Sequence, residues 1–170
     1  MIVTAVLACD DQWGIGKSGE LPWPKNSADL KWFKATTLNC AVVMGRGTWD
    51  GGMPKPLPNR RNIVITNNPI PGVECYTLAE FKSMYNLIEQ PVFIIGGAGL
   101  VTSTLDMIDE FWLSNIKGTY DCDTFLPKEL ILQKFKLYEH YFDGSITIQK
   151  YRRTDNERIF DSITIHNGSR

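Results

Sequence analysis

Histidine is nearly missing from this 170-residue chain: only His140 and His166 occur, both in the C-terminal quarter. No serine or cysteine stands in an elbow-type context either, so a hydrolytic triad is not expected. Close cysteine pairs are absent too. Cys9, Cys40, Cys75 and Cys122 are scattered singly and the carboxylates do not cluster with them at ligand spacing, which argues against a metal site and for four buried, reduced thiols. Charge of one sign is also missing. The net charge is −1 with both signs interspersed, so neither nucleic acid nor a membrane surface is an expected partner, and the ligand should be a small molecule. No apolar run approaches membrane-spanning length. The N-terminus passes directly into Ile2-Val3-Thr4-Ala5-Val6-Leu7-Ala8 without the pattern of a secretory signal, and a cytoplasmic location is expected.

What is present is enough apolar material, 43% of residues, for one domain with a real core. Apolar, β-rich runs at residues 2–8, 41–44, 62–66, 92–95 and 111–116 alternate with turn-rich or helix-patterned stretches. This alternation predicts a single α/β domain. Several runs are apolar on both faces, which suits a mostly parallel central sheet flanked by helices. Thr77-Leu78-Ala79-Glu80 has capping-box spacing and opens a helix carrying Phe81 and Tyr85. Near the end, Asp143-Gly144 separates two strand-like stretches, 135–142 and 145–151, so the sheet should finish in an antiparallel hairpin. The domain is expected to span residues 1–153, with 154–170 as an extension, either a tail or an edge strand.

Three places carry candidate chemistry. The stretch Gly16-Lys17-Ser18-Gly19-Glu20-Leu21-Pro22-Trp23 reads as a mobile loop with a stiffened exit. It leads to Asp29, the first residue of an amphipathic segment in which Asp29, Phe33 and Thr36 share a helical face. The acid either serves a pocket or is simply favoured by the helix dipole. The other two places are glycine-rich junctions after strands, Met44-Gly45-Arg46-Gly47-Thr48-Trp49 and Ile95-Gly96-Gly97-Ala98-Gly99-Leu100, which could aim free backbone N–H groups at a diphosphate. Neither fits the Gly-x-Gly-x-x-Gly dinucleotide fingerprint, so a nucleotide would be held by a different fold. Arg46 could pair with an extra phosphate and favour NADPH over NADH.

Taken in order, Gly14-Ile15-Gly16 through Leu21-Pro22-Trp23, Asp29 with Phe33, Met44 to Trp49 with Pro56-Leu57-Pro58-Asn59-Arg60, and Ile95-Gly96-Gly97 joined by Cys122-Asp123-Thr124-Phe125-Leu126-Pro127 resemble dihydrofolate reductase over residues 1 to about 151. The resemblance implies NADPH-dependent reduction of 7,8-dihydrofolate to tetrahydrofolate in a monomer open to antifolate inhibitors. Asp29 would accept paired hydrogen bonds from the pterin, and Trp23 would help organise the water that protonates N5. It also implies that Leu30, Phe33 and Leu57 line the benzoyl group, that Arg60 clamps the glutamate α-carboxylate, and that Val6, Leu7, Ala8 and Ile95 present backbone near the pterin. Ser114 would hydrogen-bond Asp29. The cofactor would lie between Gly45, Arg46, Gly47, Thr48 and Gly96, Gly97, Ala98, Gly99, Leu100, touching Ala8, Ile15 and Ile95, with Thr66 and Asn67 beside Arg46 at the adenosine 2′-phosphate. The loop from Asp10 to Trp23 would close over the nicotinamide.

The chain departs from the family pattern at Val101, where an aromatic hydroxyl residue is usual. The spacing from Trp23 to Asp29 is one residue longer than in many bacterial members, and residues 154–170 run past the pattern. Two alternatives remain at this stage. One is the related pyrimidine reductase of riboflavin synthesis, and the other is a non-enzymatic binding or structural module on the same fold.

Overall fold

The computed structural model describes residues 1–155. Ten strands and five helices follow one another as β1 (Val3–Cys9), β2 (Gly14–Gly16), α1 (Ser27–Thr37), β3 (Ala41–Gly45), α2 (Arg46–Asp50), β4 (Arg61–Ile65), β5 (Glu74–Tyr76), α3 (Leu78–Met84), β6 (Val92–Gly96), α4 (Ala98–Ser103), β7 (Glu110–Ile116), β8 (Thr124–Phe125), α5 (Lys128–Lys134), β9 (Phe135–Asp143) and β10 (Ile146–Arg153). Eight strands form one sheet in the order β5-β4-β3-β6-β1-β7-β10-β9, and β2 pairs with β8 in a separate ribbon. The pairs from β5 to β7 are all parallel. β10 runs antiparallel to both β7 and β9, so the sheet ends in the expected hairpin.

Parallel strands need both faces covered, and side-chain alternation divides the core accordingly. On one face Val3, Ala5 and Leu7 of β1 join Val43, Ile63, Ile94, Phe111 and Leu113 beneath Phe81 of α3 and Leu100 and Val101 of α4. On the other, Val6 packs with Phe93, Ile116, Ile146 and Ile148 against Trp32 of α1 and Trp23. A third cluster, Val42, Met44, Leu57 and Val64 around Trp49 of α2, continues that second face toward the sheet edge.

Local chemistry sets the helix ends. Thr77 and Glu80 form the expected capping box at α3. Helix α1 begins two residues before Asp29: the Asn26 side chain caps it by accepting from the Asp29 N–H at 3.0 Å. Three short strands, β2, β5 and β8, carry too few residues to leave a sequence pattern. The thiol expectation is corrected in one respect. All four cysteines are free, but only Cys9 is buried while the others are half-buried. From residue 156 onward, the tail that was to be a loose end or an edge strand lies outside the described residues.

Candidate active site

The carboxyl ends of β1, β3, β4, β6 and β7 lie along one edge of the sheet, where crevices form in open α/β folds. β6 is inserted between β1 and β3, so Val92 of β6 stands beside Val3 and Ala41, residues far from it in sequence. Asp29 reaches this edge from the first turn of α1, with only 8% of its surface exposed. Burial raises its pKa above the ordinary carboxylate value, and the Ser114 hydroxyl, which faces it from β7, offsets part of that rise. Ser114 Oγ is itself buried without a formed hydrogen bond. Ser114 pairs in register with Ala8, which places the ends of β1 and β7 beside the acid.

Trp23, Phe33, Ala8 and Ile95 all pack into the same cluster as Val6, and Phe33 and Ile95 also touch the cluster that holds Leu57. Val6, Ala8, Phe33, Leu57 and Ile95 thus line one continuous apolar wall with Trp23, whereas the Leu7 side chain packs in the core on the opposite face of the sheet. Leu30 stands apart, being 43% exposed and outside the buried clusters. The Arg60 guanidinium donates to Thr37 Oγ1 at 3.1 Å and to the Pro58 carbonyl at 3.0 Å, and it stacks 5.9 Å from the Phe33 ring centroid. Burial draws its pKa down, yet a guanidinium remains a cation at neutral pH.

The two glycine junctions meet across β3 and β6. A Cβ on Gly45 would come within 3.9 Å of the Gly96 carbonyl and the Gly97 nitrogen, and one on Gly96, where φ is 123°, would lie 3.5 Å from Thr48 Oγ1 and from Leu7. The peptide between Gly96 and Gly97 is cis. Helices α2 and α4 start at Gly45 and Gly97 with no side-chain cap, so their first N–H groups remain available, and Gly47 and Gly99 face open space. Such a cradle accepts an extended phosphorylated ligand. At its rim Arg46 pairs with Asp50 at 3.1 Å and donates to the Asn68 carbonyl at 3.3 Å, and the Asn68 N–H donates to Thr66 Oγ1 at 3.2 Å, which brings Arg46 beside the turn that carries Thr66. Val101 is wholly buried in the core rather than exposed on the cradle.

The loop from Asp10 to Trp23, expected to close over the nicotinamide, is tied down over its first half. Asp10 is fully buried and accepts from the N–H groups of Gln12, Gly14 and Tyr120 at 2.9, 2.8 and 3.2 Å, and from the Cys122 thiol at 3.3 Å. Burial alone would raise the Asp10 pKa, but these donors together outweigh it and hold it below the usual value. Burial and the neighbouring Asp10 push the Cys122 thiol up to about 11. Asp123 accepts from the Ser18 N–H at 2.8 Å, and Ile15 on β2 packs on the main core. Trp23 then meets Tyr120 edge-on with centroids 6.1 Å apart. Residues 17–21 remain exposed.

Sequence reasoning missed these supporting groups: Asp10, Asn26, Thr37, Asn62, Tyr120 and the anchoring role of Asp123. Asp10 and Asn26 alone leave local signals, since an aspartate bonding the N–H two residues ahead marks an Asx turn and an asparagine before a helix caps it. The rest act across 20 or more residues or through backbone that only the fold brings near.

A family model of dihydrofolate reductase matches residues 2–155. A dihydrofolate reductase of Buchnera aphidicola is 33% identical over 146 residues, covering 83% of this chain and 84% of its own length. Another from Staphylococcus aureus is 36% identical over 129 residues, covering 75% and 79% respectively. Among solved structures, dihydrofolate reductase from Enterococcus faecalis complexed with NADP(H) and RAB-propyl superposes with a TM-score of 0.80 at 31% identity, covering 91% of this chain and 97% of its own.

Proposed function

Because this chain belongs to the dihydrofolate reductase family and catalyses the NADPH-dependent reduction of dihydrofolate to tetrahydrofolate, we propose that Asp29 is the residue whose charge that reaction needs. The observation that carries the assignment is a buried carboxylate with a raised pKa facing Ser114 on an otherwise apolar wall. An acid so placed accepts a planar pair of hydrogen bonds from a pterin ring N–H and its 2-amino group, and fixes its orientation. Its negative charge raises the basicity of N5, so that solvent protonates the imine before hydride arrives at C6. Trp23 excludes bulk water and orders the remaining molecule. Phe33 and Leu57 form the wall for the benzoyl group, Leu30 covers its solvent side, and Arg60, held by Thr37 and Pro58, meets the glutamate α-carboxylate.

The uncapped N-termini of α2 and α4 and the open space at Gly47 and Gly99 fit the pyrophosphate of NADPH. When bound, that cofactor supplies the hydride. Arg46, Thr66 and Asn67 would hold its 2′-phosphate, while Ala8, Ile15, Ile95, Gly96 and Gly97 would face its nicotinamide end. The protein acts as a cytoplasmic monomer in this reading, and antifolates would compete at Asp29.

Single-turnover hydride transfer by Asp29→Asn tests the central assignment. The variant should bind NADPH normally and lose on the order of a thousandfold in rate at pH 7, with activity recovering as acid protonates the imine directly. Turnover near that of the unmodified protein at pH 7 would overturn the assignment.

A further inference from the structure

The segment carrying Leu57 and Arg60 has no strand neighbour along residues 51–60, so something other than a sheet ladder must hold its backbone. The Asn39 N–H donates to the Asn59 carbonyl at 2.9 Å, and most of the remaining hold comes from one side chain. Asn62, the second residue of β4, turns back on the preceding loop: its Oδ1 accepts from the Leu57 N–H at 2.9 Å, while its Nδ2 donates to the Leu57 carbonyl at 2.9 Å and the Arg60 carbonyl at 3.0 Å. The carboxamide satisfies both backbone groups of Leu57 much as a paired strand would, and bridges them to Arg60. Between the two, Asn59 takes a left-handed turn with φ of 59°, which folds the loop tightly enough for one amide to span it.

No other residue type supplies this pattern. Aspartate would set a carboxylate against two carbonyls, serine offers one short hydroxyl, and glutamine is a methylene too long. The consequence falls on both ends of the loop. Leu57 is 93% buried against Trp49 and Val64, and the Arg60 guanidinium hangs from the same backbone toward Thr37 and Phe33. We propose that Asn62 is a positioning residue for substrate binding: it fixes the Leu57–Arg60 loop so that the guanidinium stands where the α-carboxylate of dihydrofolate arrives. This rests on Arg60 being the carboxylate clamp.

The test is a double-mutant cycle with two substrates, dihydrofolate and a dihydropterin bearing only a methyl group at C6, which has no carboxylate to clamp. Asn62→Ala should raise KM for dihydrofolate about tenfold with kcat within about twofold, while KM for the methyl dihydropterin and Kd for NADPH stay within about twofold. Arg60→Ala should raise KM for dihydrofolate at least as much, and the double variant should be no worse than Arg60→Ala alone, because a displaced clamp and a deleted one cost the same interaction. Asn62→Ser, a smaller change, answers the same question if the alanine variant does not fold. Equal losses on both substrates, or additive losses in the cycle, would overturn the proposal by showing that Asn62 serves the fold alone. An Arg60→Ala variant with unchanged KM would instead overturn the clamp on which it rests. An effect of Arg60→Ala with none of Asn62→Ala would overturn Asn62 only.

Discussion

At the scale of single residues, the same burial that would suit Asp29 to the role proposed for it works against the stability of the domain. Its pKa in the folded state is raised above the unfolded value, so the folded state holds its proton more tightly and stability falls as pH rises from the unfolded value through the folded one. At neutral pH the buried charge is a cost. Asp29→Asn should therefore melt at a higher temperature than the unmodified protein at pH 7, with the gap closing below about pH 4, where both states protonate the acid. Scanning calorimetry at several pH values checks the sign. Arg46 presents a different case, because its guanidinium is 45% exposed and already engaged with Asp50. An exposed pair of this kind contributes at most about 1 kcal/mol to stability, so Arg46→Ala should leave melting almost unchanged. Its effect should appear in cofactor selection: Kd for NADPH should rise at least tenfold while Kd for NADH moves by less than about twofold, as expected for a charged group that meets only the extra phosphate. Equal losses for both cofactors would place Arg46 on the shared diphosphate.

At the scale of elements, the segment from Asp10 to Trp23 takes its order from the polypeptide around residues 118–124. Asp10 gathers four donors from two places in the chain, and Asp123 holds Ser18 from a distance of 105 residues in sequence. Removing the buried Asp10 leaves those donors without partners. Asp10→Ala should lower stability by about 2–3 kcal/mol and loosen both Trp23 and Tyr120, which meet edge-on. The pH dependence runs opposite to that of Asp29. Because donors hold the folded-state pKa of Asp10 below its unfolded value, its contribution is present above about pH 4 and is lost as pH falls through the lower folded value. Chemical denaturation between pH 5 and about pH 2 should show a shallower decline in Asp10→Asn than in the unmodified protein. Asp123→Ala, by contrast, removes an exposed anchor near the exposed tip and should affect the rate of turnover more than the melting temperature.

For the whole molecule, the base of the terminal hairpin is held by a cluster around Arg153. The Arg153 side chain, only 6% exposed, donates to the carbonyls of Ile108 and Leu105, stacks on Phe135 and pairs with Asp155 at 2.7 Å, while Asp155 also meets Lys134. Thr154 adds a backbone bond to the Lys134 carbonyl at 2.8 Å. These contacts tie Thr154 and Asp155, the first residues of the expected extension, to the base of the hairpin. A chain ending at Asp155 keeps this cluster whole and should keep its turnover. One ending at Arg153 loses the pairing of a nearly buried guanidinium and should melt several degrees lower with turnover retained. If both truncations bind NADPH but fail to reduce dihydrofolate, residues beyond 155 belong to the site.

What the sequence determined alone was whatever is written in short-range pattern. Runs apolar on both faces announced buried parallel strands, the Thr77 and Glu80 spacing announced α3, Asp143-Gly144 announced the hairpin, and the glycine junctions announced two helix starts after strands. Periodicity, caps and turns are local, so they are legible without a fold. The strand order was not, because inserting β6 between β1 and β3 depends on which faces can be covered by which helices. Burial of Asp29 against Ser114 likewise belongs to packing between α1 and β7, and only packing could decide that this acid has a raised pKa while Asp10, wholly buried but surrounded by donors, has a lowered one. The same holds for Asn62, whose amide is ordinary until the chain folds it back onto Leu57 and Arg60: a polar side chain acquires its role from the partners that tertiary structure leaves within hydrogen-bonding reach.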